Sequence, residues 1–194
     1  SVGFFCVADG IGGIQDGERA SKLAVEAACL AFSRAWSHYG AERISRRPGD
    51  FARAIGKVAS QRLVLEGEFS SGQNRGGTTF TGLLVADGRI GVCHVGDSRA
   101  VLVRGEQIIP LTDDHTLARI LERLGEMGDE DSQSEEMNQR TISRFLSTGM
   151  ELESRRIDGF SDRIHRMVDR PLDELLSSGI EVRRGDLFIL TSDG

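Results

Sequence analysis

No apolar run in this chain approaches the ~20 residues that a membrane-spanning helix needs, so no transmembrane span is expected. No secretory leader is expected from these first residues. Basic residues are in the minority: 24 Lys and Arg stand against 30 Asp and Glu, a formal net charge of −6. No basic stripe is visible, which argues against a nucleic-acid backbone as the main partner. A phosphorylated partner stays open, because bound cations can invert the local field. Cysteine is scarce. Cys6, Cys29 and Cys93 each lie in an apolar or alanine-rich run, and none forms a Cys-x-x-Cys pair. Buried free thiols in a reducing, cytoplasmic compartment are therefore expected, and a zinc site is not. Internal repeats and low-complexity tracts are also lacking.

What is present is an ordinary globular composition. Hydrophobic residues make up 39% and charged residues 28% of 194 residues, enough for one domain over 1–194 with a substantial core. The chain opens at Ser1, just before a strand, and closes on Gly194, just after one. It reads as a domain truncated at both termini.

Val2 to Ala8 is a short apolar run suited to a buried strand, and it leads into Asp9-Gly10-Ile11-Gly12-Gly13. A helix is expected from Glu18 to His38. Its stripe of Ala20, Leu23, Ala24, Ala27, Leu30, Ala31 and Ala35 should pack closely on a sheet, and Tyr39-Gly40 should end it. A second helix is expected from Asp50, as cap, to Leu65. Thr78–Ala86, Arg89–Val95, Arg99–Arg104 and Gln107–Leu111 read as an antiparallel meander with turns at Asp87-Gly88, Gly96-Asp97-Ser98 and Gly105-Glu106. A helix should open at Asp113 and reach Leu124. The acidic stretch from Gly128 to Glu136 reads as a loop, Thr141–Leu146 as a strand and Pro171–Ser178 as a helix closed by Gly179. Ile180–Val182 and Leu187–Thr191 suggest a last hairpin. The pattern implies an α+β class with helices on sheet faces.

Three aspartates recur in one setting. Asp9, Asp97 and Asp193 each follow an apolar strand and sit beside glycine. One Asp at a turn is ordinary turn chemistry. Three such turns suggest carboxylates brought to one site, where they repel unless they share protons or bind cations. Mg²⁺ or Mn²⁺ take oxygen ligands, and the Gly10 carbonyl can add one.

These segments resemble the PPM family, the metal-dependent (type 2C) serine/threonine protein phosphatases, in a bacterial-like form. Ala8-Asp9-Gly10-Ile11-Gly12-Gly13 resembles its first metal motif, and Gly77-Thr78-Thr79 a strand start. Val95-Gly96-Asp97-Ser98-Arg99-Ala100 and Leu111-Thr112-Asp113-Asp114-His115 are similar to two further motifs. Ser143-Arg144-Phe145-Leu146, and Gly185-Asp186 with Thr191-Ser192-Asp193-Gly194, complete the set in family order. The resemblance implies a sandwich of two antiparallel β-sheets flanked by α-helix pairs, incomplete at both ends. It implies that Asp9 bridges two Mn²⁺ or Mg²⁺ ions, with the Gly10 carbonyl on one and Asp193 on the other. Asp97 with Asp193 would hold a third, weaker ion. A metal-bridging hydroxide would attack phosphoserine or phosphothreonine phosphorus directly. The implied partners are phosphorylated proteins, opposite a serine/threonine kinase, with the phosphatase a monomer.

The sequence departs from the pattern where Ile11 stands, since some eukaryotic members carry a histidine there as a proposed general acid. Arg99 is expected to pair with a neighbouring carboxylate, and His115 to serve as a hydrogen-bonding residue. His38, His94 and His165 read as ordinary surface or core residues. Two rivals are a phosphatase-like sensor without turnover and a dinucleotide cradle at Gly10-x-Gly12. The cradle's third glycine should fall at Gln15, and no second strand ends in an acid where it requires one.

Overall fold

The computed structural model describes residues 1–11, 14–69, 76–124, 137, 141–147, 157–161, 164, 168 and 170–192. Its centre is a four-stranded antiparallel sheet in the order β1 (Val2–Val7), β4 (Phe80–Ala86), β5 (Arg89–Val95), β9 (Ile180–Glu181). The β4–β5 hairpin turns at Asp87-Gly88, with φ of 43° and 78°, the two positive angles that a tight two-residue hairpin needs. A second, three-stranded sheet runs β10 (Leu187–Thr191), β6 (Arg99–Arg104), β7 (Gln107–Pro110). A small ladder joins β2 (Gly10–Ile11), β3 (Gly77–Thr78) and β8 (Leu146–Ser147).

Strands β4 and β5 are buried on both faces and read as near-continuous apolar runs, whereas Phe5 of the edge strand β1 is exposed. On one face Phe80, Leu84, Cys93 and Val95 pack with Ala20, Ala24 and Ala28 of α1 (Ile14–Arg46) and Ala52, Ala59 and Leu63 of α2 (Pro48–Phe69). On the other, Leu83, Ile90 and Val92 meet Ala100, Leu102, Ile109, Phe188 and Leu190 of the second sheet. The two-residue period leaves Leu187, Ile189 and Ile108 facing outward, 57%, 42% and 73% exposed. The helix–sheet–sheet order is the expected α+β sandwich. Among the described residues one helix pair, α1–α2, flanks it. None of the described helices is long and apolar enough to cross a membrane.

Several expectations are corrected. Gly40, at φ 72° and ψ 167°, does break the helix, but helix resumes to Arg46. The alanine stripe divides. Ala20, Ala24 and Ala28 meet the sheet, whereas Leu30 is 52% exposed and faces away from it. Asp50 does not cap α2. It lies in the first turn, where its carboxylate takes Arg47, Arg53 and the Ser177 hydroxyl. The meander is split, because the Gly96-Asp97-Ser98 turn carries the chain from the first sheet to the second.

The last pair is likewise no hairpin. β9 joins β5 and β10 joins β6. The corner between them is held by Asp186, which accepts from the Arg183 amide at 2.8 Å and pairs with Arg104 at 2.6 Å. Helix α3 (Leu117–Leu124) starts four residues after Asp113, because Asp113–Thr116 is committed to tertiary bonds. Thr116 bridges Ile142, and the strand expected at Thr141–Leu146 reduces to that bridge and β8. Helix α4 (Leu172–Ser178) ends at Gly179 as expected. The acidic stretch 128–136 lies outside the described residues, as does most of 154–168.

Candidate active site

Two adjacent threonines assemble the site. The backbone amide of Asp9, at the end of β1, donates to Thr79 Oγ1 at 2.9 Å, and the Thr79 amide donates back to the Asp9 carbonyl at 2.8 Å. The Thr78 hydroxyl donates to the same carbonyl at 2.9 Å. Thr79 Oγ1 also lies 2.7 Å from the Ser98 hydroxyl. One fully buried hydroxyl thus ties the Asp9 loop to the turn that carries Asp97. The turn closes on it because residue 96 is glycine. Its φ is 106°, and a Cβ there would lie 2.7 Å from Thr79 Cβ.

A histidine pair underlies the same turn. The Gly96 amide donates to His115 Nδ1 at 3.1 Å, so Nε2 carries the ring proton and donates to Asp158 Oδ2 at 3.0 Å. Arg144 donates to that oxygen at 2.8 Å. Burial pushes the Asp158 carboxyl upward, but the hydrogen bonds from His115 and Arg144 and the Arg144 charge outweigh it. They hold the group well below the usual carboxylate range. The His94 ring lies 4.7 Å from that of His115. Burial, reinforced by His115, pushes the His94 pKa down to about 3. This neutral ring donates from Nε2 to the Asp113 carbonyl at 2.9 Å and meets the Thr81 hydroxyl with Nδ1 at 2.9 Å.

The structure therefore brings Asp9, Gly10 and the Asp97 turn together, while Asp193 lies outside the described residues. Arg99 pairs with Asp114, its Nη2 2.5 Å from Oδ2, as expected. His115 is a hydrogen-bonding residue and His94 a core one. The three cysteines are free thiols. Cys93 is buried and Cys6 half-buried, its pKa pushed up to about 12 chiefly by burial, but Cys29 is exposed. Sequence reasoning did not assign roles to Thr79, Ser98, Asp158 or Arg144. The available signal was a pair of threonines opening an otherwise apolar strand, polar groups that must find partners once buried.

The donors fit a hard divalent cation. The Asp9 and Asp97 carboxylates and the Gly10 carbonyl all offer oxygen atoms, the donors such an ion takes. Gly10 must be glycine for the backbone to run there, since a Cβ would lie 2.3 Å from the Gly17 carbonyl carbon in the first turns of α1. Among the described residues no three His, Cys, Asp or Glu side chains gather closely enough to hold a metal.

A two-sheet antiparallel sandwich with a helix layer is the architecture on which these residues sit. The chain belongs to the protein phosphatase 2C family, whose model matches residues 2–194. Among its relatives is the serine/threonine phosphatase stp of Listeria monocytogenes. It is 32% identical over 126 residues, which cover 65% of this chain and 48% of that protein. Serine/threonine protein phosphatase PstP of Mycobacterium tuberculosis is 27% identical over 188 residues, 97% of this chain and 30% of that protein. The crystal structure of PstP/Ppp from the same organism has a TM-score of 0.71 at 25% identity, covering 100% of this chain and 71% of that one. The S. agalactiae serine/threonine phosphatase shares the fold, with a TM-score of 0.71 at 21% identity and coverage of 99% and 68%. The chain spans about half the length of the Listeria relatives it matches.

Proposed function

We propose that this chain supplies part of the active site of a protein phosphatase that hydrolyses phosphoserine and phosphothreonine with Mn²⁺ or Mg²⁺. The observation that carries the reading is the Thr79 hydroxyl, which joins the loop of one family aspartate, Asp9, to the turn of another, Asp97. In support, the catalytic domain of PstP has been solved in complex with two manganese ions.

In this reading Asp9, the Gly10 carbonyl and Asp193 hold two cations, and Asp97 with Asp193 a third. Bound there, such cations lower the pKa of water and offset charge on a phosphoryl oxygen. The chain's own contribution is placement. Thr78 and Thr79 fix the Asp9 backbone, and Ser98, His115 and Asp158 fix the Asp97 turn. No step needs the thiols, which lie on the helix side of the first sheet. The partners are phosphorylated proteins opposite a serine/threonine kinase, the working unit is a monomer over 1–194 and its neighbouring residues, and the compartment is cytoplasmic.

The test is turnover by the full-length protein. p-Nitrophenyl phosphate and phosphothreonine peptides should be hydrolysed with Mn²⁺ or Mg²⁺ and not in excess EDTA. Full activity in EDTA would overturn the metal assignment. Tight Mn²⁺ binding without turnover of either substrate would favour the sensor reading.

A further inference from the structure

On the side away from the sheet, α1 and α2 face each other across an open groove of about 1390 Å³. Small-ligand pockets commonly hold about 300–1,000 Å³. This groove is long instead of deep. Its lining runs from Asp50 to Leu65 on α2, about 22 Å at helical rise. Ala27 and Ala35, expected to meet the sheet, line it instead, together with Ala31, which also packs against the core. Its walls carry Leu30, Val58 and Leu65, 52%, 42% and 48% exposed. Large apolar side chains exposed along one seam mark an interaction surface, whereas single ones do not.

The rim has the opposite charge to the chain. Five arginines (34, 43, 46, 47 and 62) stand against Glu26, Glu42 and Asp50, on a protein of net charge −6. Arg46 pairs with Glu42, Arg47 with Asp50 and Arg62 with Glu66. Arg43 lies 4.9 Å over the Tyr39 ring, and Arg34 makes no ion pair among the described residues. Among the described residues, these two guanidinium groups border apolar surface without a carboxylate partner.

We propose that this groove docks an amphipathic α-helix of a partner protein, with an apolar stripe flanked by aspartate and glutamate. The length fits about four turns of helix, and the alanine lining lets a backbone approach closely. Guanidinium forks bind carboxylates in pairs of hydrogen bonds. A second copy of this chain is a poor occupant, because two arginine rims would face each other. The inference is independent of the phosphatase reading.

The probe is a fluorescein-labelled helical peptide of roughly 18 residues, about five turns, with leucine at helical spacing and glutamate on both flanks. Its twin carries lysine for glutamate. Anisotropy with the full-length protein should show the glutamate peptide binding at least about tenfold tighter. Arg34→Glu with Arg43→Glu should abolish or reverse that preference, and Val58→Glu should lose both peptides. All three substitutions are at exposed positions, so melting temperatures should hold and report folding. Equal binding of the two peptides, or a preference unchanged in the double variant, would overturn the proposal. So would a dimer in sedimentation that Val58→Glu dissolves, which would assign the groove to a second copy.

Discussion

Thr79→Val isolates the junction on which the site rests. Valine keeps the shape of threonine but removes the hydroxyl that accepts from the Asp9 amide at 2.9 Å and meets Ser98 at 2.7 Å. Thr79 is 1% exposed, so water cannot readily replace the lost partner. Each buried group left unsatisfied costs about 1–3 kcal/mol. The Ser98 hydroxyl can rotate to recover part of its loss, so the sum is roughly 2–4 kcal/mol, against a total stability of about 5–15 kcal/mol. At about 2–4 °C per kcal/mol for a domain of this size, the melting temperature should fall by roughly 4–16 °C. Metal binding should suffer separately. Groups that orient ligands from behind are worth about 10–100-fold in affinity, and Thr79 orients two candidate ligands. Circular dichroism melts and Mn²⁺ calorimetry on the full-length protein measure the two effects. Thr79→Ser, which keeps the hydroxyl, should recover metal affinity. A Thr79→Val protein that melts within about 1 °C of the parent and binds Mn²⁺ equally well would refute the reasoning.

Arg104→Ala should cost about 1–3 kcal/mol in a urea melt, because it leaves the Asp186 carboxylate, paired with Arg104 at 2.6 Å, with the Arg183 amide but no guanidinium. Acid should destabilise the fold through His94. Its folded pKa is about 3 against an ordinary 6.5, so below pH 6.5 the unfolded chain binds the proton that the folded chain refuses. Stability present above 6.5 is then lost as pH falls toward 3, at up to about 1.4 kcal/mol per pH unit, and His94→Gln should flatten that slope. Asp97→Ala should lower turnover while calorimetry still reports two tight ions. An equal fall in melting temperature, with normal turnover by the folded fraction, would instead make Asp97 a turn residue only.

Elements fixed by local chemistry were legible in the sequence. Asp87-Gly88 announced a hairpin because few pairs accept two positive φ angles, and Gly40 and Gly179 marked helix breaks for the same reason. What local pattern could not show was which sheet a strand joins. Gly96-Asp97-Ser98 and Arg183-Asp186 look like hairpin turns, yet each carries the chain between sheets. The deciding contacts, Thr79 with Ser98 and Arg104 with Asp186, are 19 and 82 residues apart in sequence. Periodicity overreached on α1, where one alanine stripe serves two surfaces, the sheet and the groove. It also began α3 too early, because Asp113, Asp114 and His115 are held by Arg119, Arg99 and Gly96. The aspartates were found by their setting. The buried polar groups that hold them were not, since a threonine or histidine gains its role only once distant partners close around it.

The central claim is that Asp9 sits at a divalent-cation site on which phosphoester hydrolysis depends. Titration of Mn²⁺ into full-length protein, parent against Asp9→Asn, tests it most directly. Asparagine keeps the size of the side chain and leaves the backbone bonds to Thr78 and Thr79 in place, so the fold should survive with an unchanged dichroism spectrum. Tight Mn²⁺ binding and turnover should both disappear. An Asp9→Asn protein that binds Mn²⁺ with the parent's affinity and stoichiometry would contradict it.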